Sequence, residues 1–275
     1  MKSSARFLRK ITGVFNSLFV HFLYMLRKIS PDGAGAYDSK SAHNYKVEVI
    51  MLQNDRITVK EHMVEKKMEY RGEVILTYRI SFPEFIACRY DAALMAINKY
   101  YRCRARGFRG HVENDLYPLA LKQFQATNND EAPMPAYEAV SEFSVTCNDG
   151  CLLSIYTDQY EFTGGAHGNT LRSAQTWNLG GSGRVSLKEF FAPSLDYRTY
   201  LLEGIKEQIM KEPDSYFENY EELAAQNFND ENFYCTPQGL AIYYQQYEIA
   251  PYSSGIRVFV FPFSETVRSP QQFCL

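Results

Sequence analysis

Two stretches of the chain concentrate side chains able to do chemistry. The first, Gly164-Gly165-Ala166-His167-Gly168-Asn169, places three glycines within five residues around one histidine. Glycine lets the backbone take positive φ and come close to another chain or a ligand, and an imidazole held there could donate, accept or titrate near neutral pH. The structural use of the same residues is a tight crossover whose histidine bonds nearby backbone. The second stretch, Tyr243-Tyr244-Gln245-Gln246-Tyr247-Glu248-Ile249-Ala250-Pro251-Tyr252, is tyrosine-rich, carries one acid and ends at a proline turn. Tyrosine offers a large, rigid face with a polar tip, which suits recognition of proteins or sugars and suits a sheet core equally. Tyr244 and Tyr247 are expected in the core. Glu248 is the member expected to act as a polar functional group or to cap neighbouring backbone N–H groups.

Familiar reaction centres do not assemble around these stretches. The other histidines, His21, His43, His62 and His111, lie far along the chain with no His-x-x-x-His spacing, so no zinc centre is expected. The glycine loop lacks the Lys-Ser/Thr of a P-loop and the spacing of a dinucleotide fingerprint. Asp158 and Glu161 precede it on opposite strand faces, so they cannot form a general acid and base pair, and solvated strand charges are expected. There is no Gly-x-Ser-x-Gly elbow. The six cysteines show no Cys-x-x-Cys pattern. Cys147 and Cys151 flank the hairpin signal Asn148-Asp149-Gly150 and could bridge across two strands, but free buried thiols are the expected state. No catalytic residue, metal or cofactor is expected.

The elements that must position these residues are legible from periodicity. Alternation over Tyr45–Met51 and over Val74–Phe82, the latter ending at Pro83, reads as strands. Leu94, Ile97 and Tyr101 recur at helical spacing between Asp91 and Arg106, with Gly107 and Gly110 expected to stop the helix. Leu116, Leu119, Ala120 and Phe124 mark a second helical face before the break over residues 128–135. A hairpin follows: Ala139, Ser141, Phe143, Val145 and Cys147 on one strand face, the turn, then Leu152 to Phe162, which runs into the glycine loop. Thr170 to Leu179 is a strand, Leu195 to Met210 a helix, and Tyr234, Leu240, Ile242, Tyr244 and Ile256 to Phe263 supply further strands. This order of strands, helices, strands, helix, strands predicts an α+β fold, antiparallel sheets with helices packed on them, in two small subdomains, 45–135 and 136–275.

Composition narrows the function classes. At 275 residues, 45% hydrophobic and 22% charged, the chain is neither disordered nor multi-spanning. A formal net charge of −3 offers no broad cationic face, which excludes general nucleic-acid binding. The 21 Tyr and 19 Phe favour strands and half-buried surfaces. Residues 1–44 are a basic and apolar segment. Its apolar run is shorter than the roughly 20 residues a bilayer core requires, and Arg27 and Lys28 separate it from Ala34-Gly35-Ala36, a site where a signal could be cleaved. A signal, an anchor acting through residues 7–28, a surface helix and an unused extension are the uses open to it.

Together, Tyr160–Asn169 and Tyr247–Gly255 resemble the signature of a bacterial two-part module found in the extracytoplasmic region of RsiV-type anti-sigma factors, which bind lysozyme, and beside the catalytic domain of PdaC-type peptidoglycan deacetylases. Ser81-Phe82-Pro83-Glu84-Phe85 is similar to the module's aromatic-proline start and Ala96-Ile97-Asn98-Lys99-Tyr100 to its first-helix asparagine segment. The resemblance implies a non-enzymatic binding or sensing module of the cell envelope, membrane-anchored or exported, that engages a lysozyme-like protein or peptidoglycan. It marks Gly164, Gly165, His167, Gly168, Asn169, Tyr247, Glu248, Pro251 and Tyr252 as determinants of architecture and binding. The sigma-binding half of such a regulator is expected to be missing or reduced to a short basic helix, and no deacetylase domain with its Asp and paired His ligands is expected. The alternatives are a peptidoglycan-modifying hydrolase or its accessory domain, with His167 and Glu248 as acid–base partners, and a stand-alone cytoplasmic relative beginning near Met51.

Overall fold

Alternating side chains build one long sheet. In the computed structural model, which describes residues 49–50, 57–87, 90–127, 135–149, 151–181 and 183–274, seven strands pair in sequence order: β1 (Val49–Ile50), β2 (Thr58–Tyr70), β3 (Glu73–Ile86), β4 (Tyr137–Asp149), β5 (Leu152–Phe162), β6 (Asn169–Asn178) and β7 (Gly183–Arg184). All neighbours are antiparallel except β3 and β4. Parallel strands need a long return path, and it is helical: α1 (Asp91–His111), one wide π turn (Val112–Leu116) and α2 (Tyr117–Ala126). The second sheet holds three antiparallel strands in the order β10 (Arg257–Phe261), β9 (Gly239–Tyr244), β8 (Phe233–Thr236), with α3 (Tyr197–Ile209) and α4 (Tyr220–Gln226) packed against it. The fold is the mixed α+β class expected, dominated by antiparallel pairing. The described residues belong to one compact unit, His43–Leu275, and the expected boundary at residue 135 falls between the paired strands β3 and β4.

The core divides by element. Leu76, Tyr78 and Ile80 of β3 pack under Phe108, Val112, Leu116 and Ala120, while Leu94, Ile97 and Tyr101 of α1 bury against Phe85, Leu153 and Ile155. Each such aliphatic side chain contributes about 1.5–3 kcal/mol when fully removed from water. Asn98 locks α1 to β3 by accepting from the Phe85 N–H (2.8 Å) and donating to its carbonyl (2.9 Å).

Several expectations are corrected. Gly107 and Gly110 do not stop α1, which continues to His111. Each glycine costs about 1 kcal/mol against alanine in a helix, and burial of Phe108 and Val112 between and beside them outweighs that. Leu119 is 47% exposed. The wide turn shifts the helical phase, so Leu116 and Ala120 face the sheet and Leu119 faces out. The strand ending expected at Pro83 also fails, because β3 runs on to Ile86. Its β4 ladder ends at Ile80, so Pro83 lies in the stretch of β3 that pairs with β2 alone, opposite Glu61, an edge position where proline is tolerated. Of the strand expected over Tyr45–Met51, only Val49–Ile50 is described, and residues 1–44 lie outside the described residues.

The cysteine pairing differs as well. Cys151 is joined to Cys274, with Cα atoms 5.2 Å apart, while Cys147 is a buried free thiol. A bulge between Val145 and Cys147 sets Cys147 opposite Ser154, so Cys151 is not its cross-strand partner. Free buried thiols hold for Cys147 and Cys235, whereas Cys103 is free but exposed; Cys88 lies outside the described residues.

Candidate functional site

The glycine loop is built by φ values and by a close approach. Gly164 (φ 95°) and Gly165 (φ 90°) turn the chain leaving β5 through a region that side chains disfavour. Gly168 has another reason to be glycine: a Cβ there would lie 2.4 Å from the Tyr160 ring and 2.6 Å from the Glu161 carbonyl oxygen. Asn169 then opens β6, paired with Glu161. His167 is left exposed at the tip, its Nδ1 3.1 Å from the Gly168 carbonyl oxygen.

The tyrosine stretch is a strand only as far as Tyr244, which is buried. Beyond it, the Gln245 and Gln246 side chains hold the turn to β6. Gln246 Oε1 accepts from the Thr170 N–H (2.7 Å), Gln245 Oε1 accepts from the Arg172 N–H (2.9 Å), and Gln245 Nε2 donates to the Arg172 carbonyl (2.7 Å). Two side-chain amides thus occupy polar groups at the open edge of β6. Tyr247 follows in a left-handed conformation (φ 66°) and is 52% exposed, so its expected place in the core is overturned. With the side chain set outward, Ile249 and Ala250 fill the core in its stead. Pro251 leads into a short 3₁₀ turn at Tyr252–Ser254.

Glu248 caps backbone, as expected. Its Oε2 accepts from the Gln245 N–H at 2.6 Å, and its carbonyl accepts from Asn227 Nδ2. Burial raises its carboxyl above the usual glutamate range, and the Gln245 hydrogen bond opposes the rise.

The two motifs meet. The His167 ring stacks on Tyr252 with centroids 3.7 Å apart and planes 15° from parallel, and its Nε2 lies 3.3 Å from the Tyr247 hydroxyl. Tyr247 and Tyr252 sit 5.7 Å apart, tilted by 35°. The geometry is a surface cluster of an exposed phenol, an exposed imidazole and the half-buried Tyr252 on a tightly bonded base. His167 and Glu248 are not hydrogen-bonded to each other: the carboxylate is committed to backbone and the imidazole to Gly168 and the tyrosines.

Asp158 and Glu161 are partnered rather than simply solvated. Asp158 accepts from both Nε (2.8 Å) and Nη2 (2.7 Å) of Arg172, whose guanidinium lies 3.8 Å over the Tyr156 ring. Glu161 faces His111 Nε2 at 3.2 Å, while His111 Nδ1 bonds Asp115 at 2.9 Å. The Asp115 hydrogen bond, with Glu161 adding to it, holds the His111 imidazolium above its ordinary range. Arg172, Gln245 and Gln246 were not singled out by sequence. The adjacent glutamines preceding Tyr247 were the available signal, but amides carry no periodicity. Among the described residues no group of three or more His, Cys, Asp or Glu could hold a metal ion, and no helix is long and apolar enough to cross a membrane.

Comparison with known proteins divides the chain between the two motifs of this site. Residues 70–170 match the family model described as Deacetylase PdaC, and residues 188–264 match the model described as a protein of unknown function, DUF3298. The two regions follow one another in tandem. The glycine loop closes the first and the tyrosine turn lies in the second. Among solved structures, a DUF3298 family member from Bacteroides fragilis is similar at 18% identity, covering 85% of this chain and 98% of its own, with a TM-score of 0.49. A DUF3298 family protein from Pseudomonas aeruginosa is similar at 15% identity, covering 84% and 97%, also at 0.49. No curated protein matches the chain.

Proposed function

We propose that this chain is a non-enzymatic binding and sensing module of the bacterial cell envelope that recognises a lysozyme-like protein. The observation that carries this is the junction of the two motifs, where Tyr247 stands 52% exposed in a left-handed backbone conformation, with His167 and Tyr252 beside it. An exposed, rigid aromatic group whose ordering cost is met within the free protein is the usual form of a binding hot spot. Strain of this kind gathers at functional sites.

Two features support the setting. The Cys151–Cys274 disulfide fits an oxidising compartment, as the envelope exterior is. The tandem order of the two family matches fits the two-part module that the signature resembles. The test is the affinity of the full chain for hen egg-white lysozyme, with N-acetylglucosamine oligomers as the glycan arm. Lysozyme binding that falls about tenfold or more in Tyr247→Ala supports the proposal. Binding of the oligomers alone would assign the surface to glycan.

A second reading, a peptidoglycan-modifying hydrolase or its accessory domain, is favoured by the description of the model matching residues 70–170, which names a deacetylase. Release of acetate or cleaved fragments from purified peptidoglycan, lost in His167→Gln, would establish it over the binding module.

A further inference from the structure

Resting on the binding-module reading, we infer that His167 sets the hydrogen-bonding sense of the exposed Tyr247 hydroxyl: the junction accepts hydrogen bonds from a protein partner while the imidazole is neutral, and donates when it is protonated. Nδ1 lies 3.1 Å from the Gly168 carbonyl oxygen, which has no proton to give. The neutral ring therefore carries its proton on Nδ1, leaving a lone pair on Nε2. The Tyr247 hydroxyl, 3.3 Å away, donates inward to that lone pair and shows only oxygen lone pairs to solvent. Protonation places an N–H on both nitrogens. Nε2–H then donates to the phenol oxygen, and the phenolic proton turns outward.

The surroundings accommodate both states. The face of the ring lies on Tyr252 at 3.7 Å, where an imidazolium gains attraction from the π cloud. Facing His167 from the turn after β9 are Tyr247 and Tyr252; Glu248 on that turn is committed to the Gln245 N–H. From β5, the Tyr160 ring lies under Gly168. The imidazole's own charge is thus the variable at the junction. While the imidazole is neutral, the matching partner surface is one that presents N–H donors, from backbone amides or cationic side chains. The 3.3 Å contact is long for a hydrogen bond, so its effect is directional more than energetic.

Two measurements on the full chain decide this. Long-range ¹⁵N correlation spectra of histidine-labelled protein, assigned with His167→Gln, are expected to show the Nδ1–H tautomer for the neutral ring. A proton on Nε2 overturns the inference whether or not any partner binds. The second measurement is lysozyme affinity as a function of pH, with the protonation state of His167 read from the same ¹⁵N spectra. Wild type divided by Tyr247→Phe cancels titration in the lysozyme itself, and that ratio is expected to fall about threefold to tenfold on protonation. A ratio constant with pH overturns the inference. Lysozyme binding at no pH overturns the proposed function instead, and the tautomer alone then decides the junction.

Discussion

His167 lies face to face on Tyr252, ring centroids 3.7 Å apart, although one comes from the loop between β5 and β6 and the other from the turn between β9 and β10. The stack joins the two sheets at the surface, and the Gln245 and Gln246 amides join them just beneath it. Recognition at such a junction depends on both halves being held in register, so the most telling variants are those that disturb the holding residues rather than the rings.

Gly168→Ala is expected to destabilise the fold by about 1–3 kcal/mol, an overpacking cost, because the new Cβ meets the Tyr160 ring and the Glu161 carbonyl. Gly165→Ala meets nothing within 4 Å and suffers only from its φ of 90°, for about 1 kcal/mol. Urea midpoints give the order. Equal losses would mean that the close approach at Gly168 is relaxed in solution.

Loss of the Cys151–Cys274 bridge, by reduction or Cys274→Ser, is expected to cost about 2–4 kcal/mol, since it closes a long loop of the unfolded chain. Peptide mapping without reductant should find these two cysteines linked, with Cys147 alkylated only after unfolding. Burial pushes the Cys147 thiol up to about 11, which makes it unreactive in the native state. A Cys147–Cys151 linkage would show that the bulge-set register at Val145 and Cys147 is wrong.

Sequence showed the two motifs, the α+β order and most strands, yet hid how the motifs meet. Alternation in Glu73–Ile86 and helical spacing in α1 are patterns that one face of burial imposes, so they are readable. β2 was missed because TVKEHMVEKKMEY is intermediate to exposed along its length and lacks a buried face. Residue type alone places Tyr247 in the core, whereas its left-handed φ is fixed by a turn that only tertiary contacts specify. The Cys151–Cys274 pairing crosses 123 residues, beyond any local signal.

His111 gives a pH dependence whose sign is fixed. Its folded-state pKa is raised by Asp115 first and Glu161 second. The stabilisation is therefore fully present below the unfolded histidine value of about 6.5 and is lost as pH rises through the folded value. Side-chain exposure of 41% keeps the effect to a few tenths of a kcal/mol. His111→Gln should flatten the dependence of the urea midpoint on pH above 6. An unchanged slope would mean that the Asp115 and Glu161 contacts do not persist in solution.

Glu248 works in the opposite sense to an ordinary paired carboxylate. Burial raises its folded pKa, so the folded state holds its proton more tightly than the unfolded state, and stability falls as pH rises from the unfolded value through the folded one. At neutral pH the charge is a burden that the Gln245 N–H bond offsets in part. Glu248→Gln keeps an acceptor for that N–H without the charge and is expected to be neutral or slightly stabilising at pH 7. Glu248→Ala leaves the donor unpaired and should cost about 1–2 kcal/mol. Chemical denaturation of the two variants separates the cases, and a glutamine variant as damaged as the alanine one would show that the charge itself holds the turn.

Arg172 and Gln245 form the base on which Tyr247 stands. Arg172 is bidentate to Asp158, lies over Tyr156, and accepts at its carbonyl from Gln245 and from the Tyr243 hydroxyl. A lysine cannot reproduce the fork or the stacking, so Arg172→Lys should destabilise by about 1–2 kcal/mol, roughly the difference between bidentate and single charge-assisted bonding. Gln245→Ala removes two hydrogen bonds at the edge of β6, at about 1–3 kcal/mol. On the proposed function, both variants should also weaken lysozyme binding without touching the junction rings, because the junction is then held less rigidly and must be ordered on association. Hydrogen exchange at Thr170 and Arg172 is the check. Their amides are protected by side chains rather than by a neighbouring strand, so exchange at Arg172 should accelerate in Gln245→Ala while β5–β6 pairing persists elsewhere. Unaltered protection at Arg172 would mean that another group holds this edge and that the amide clamp is not what positions Tyr247.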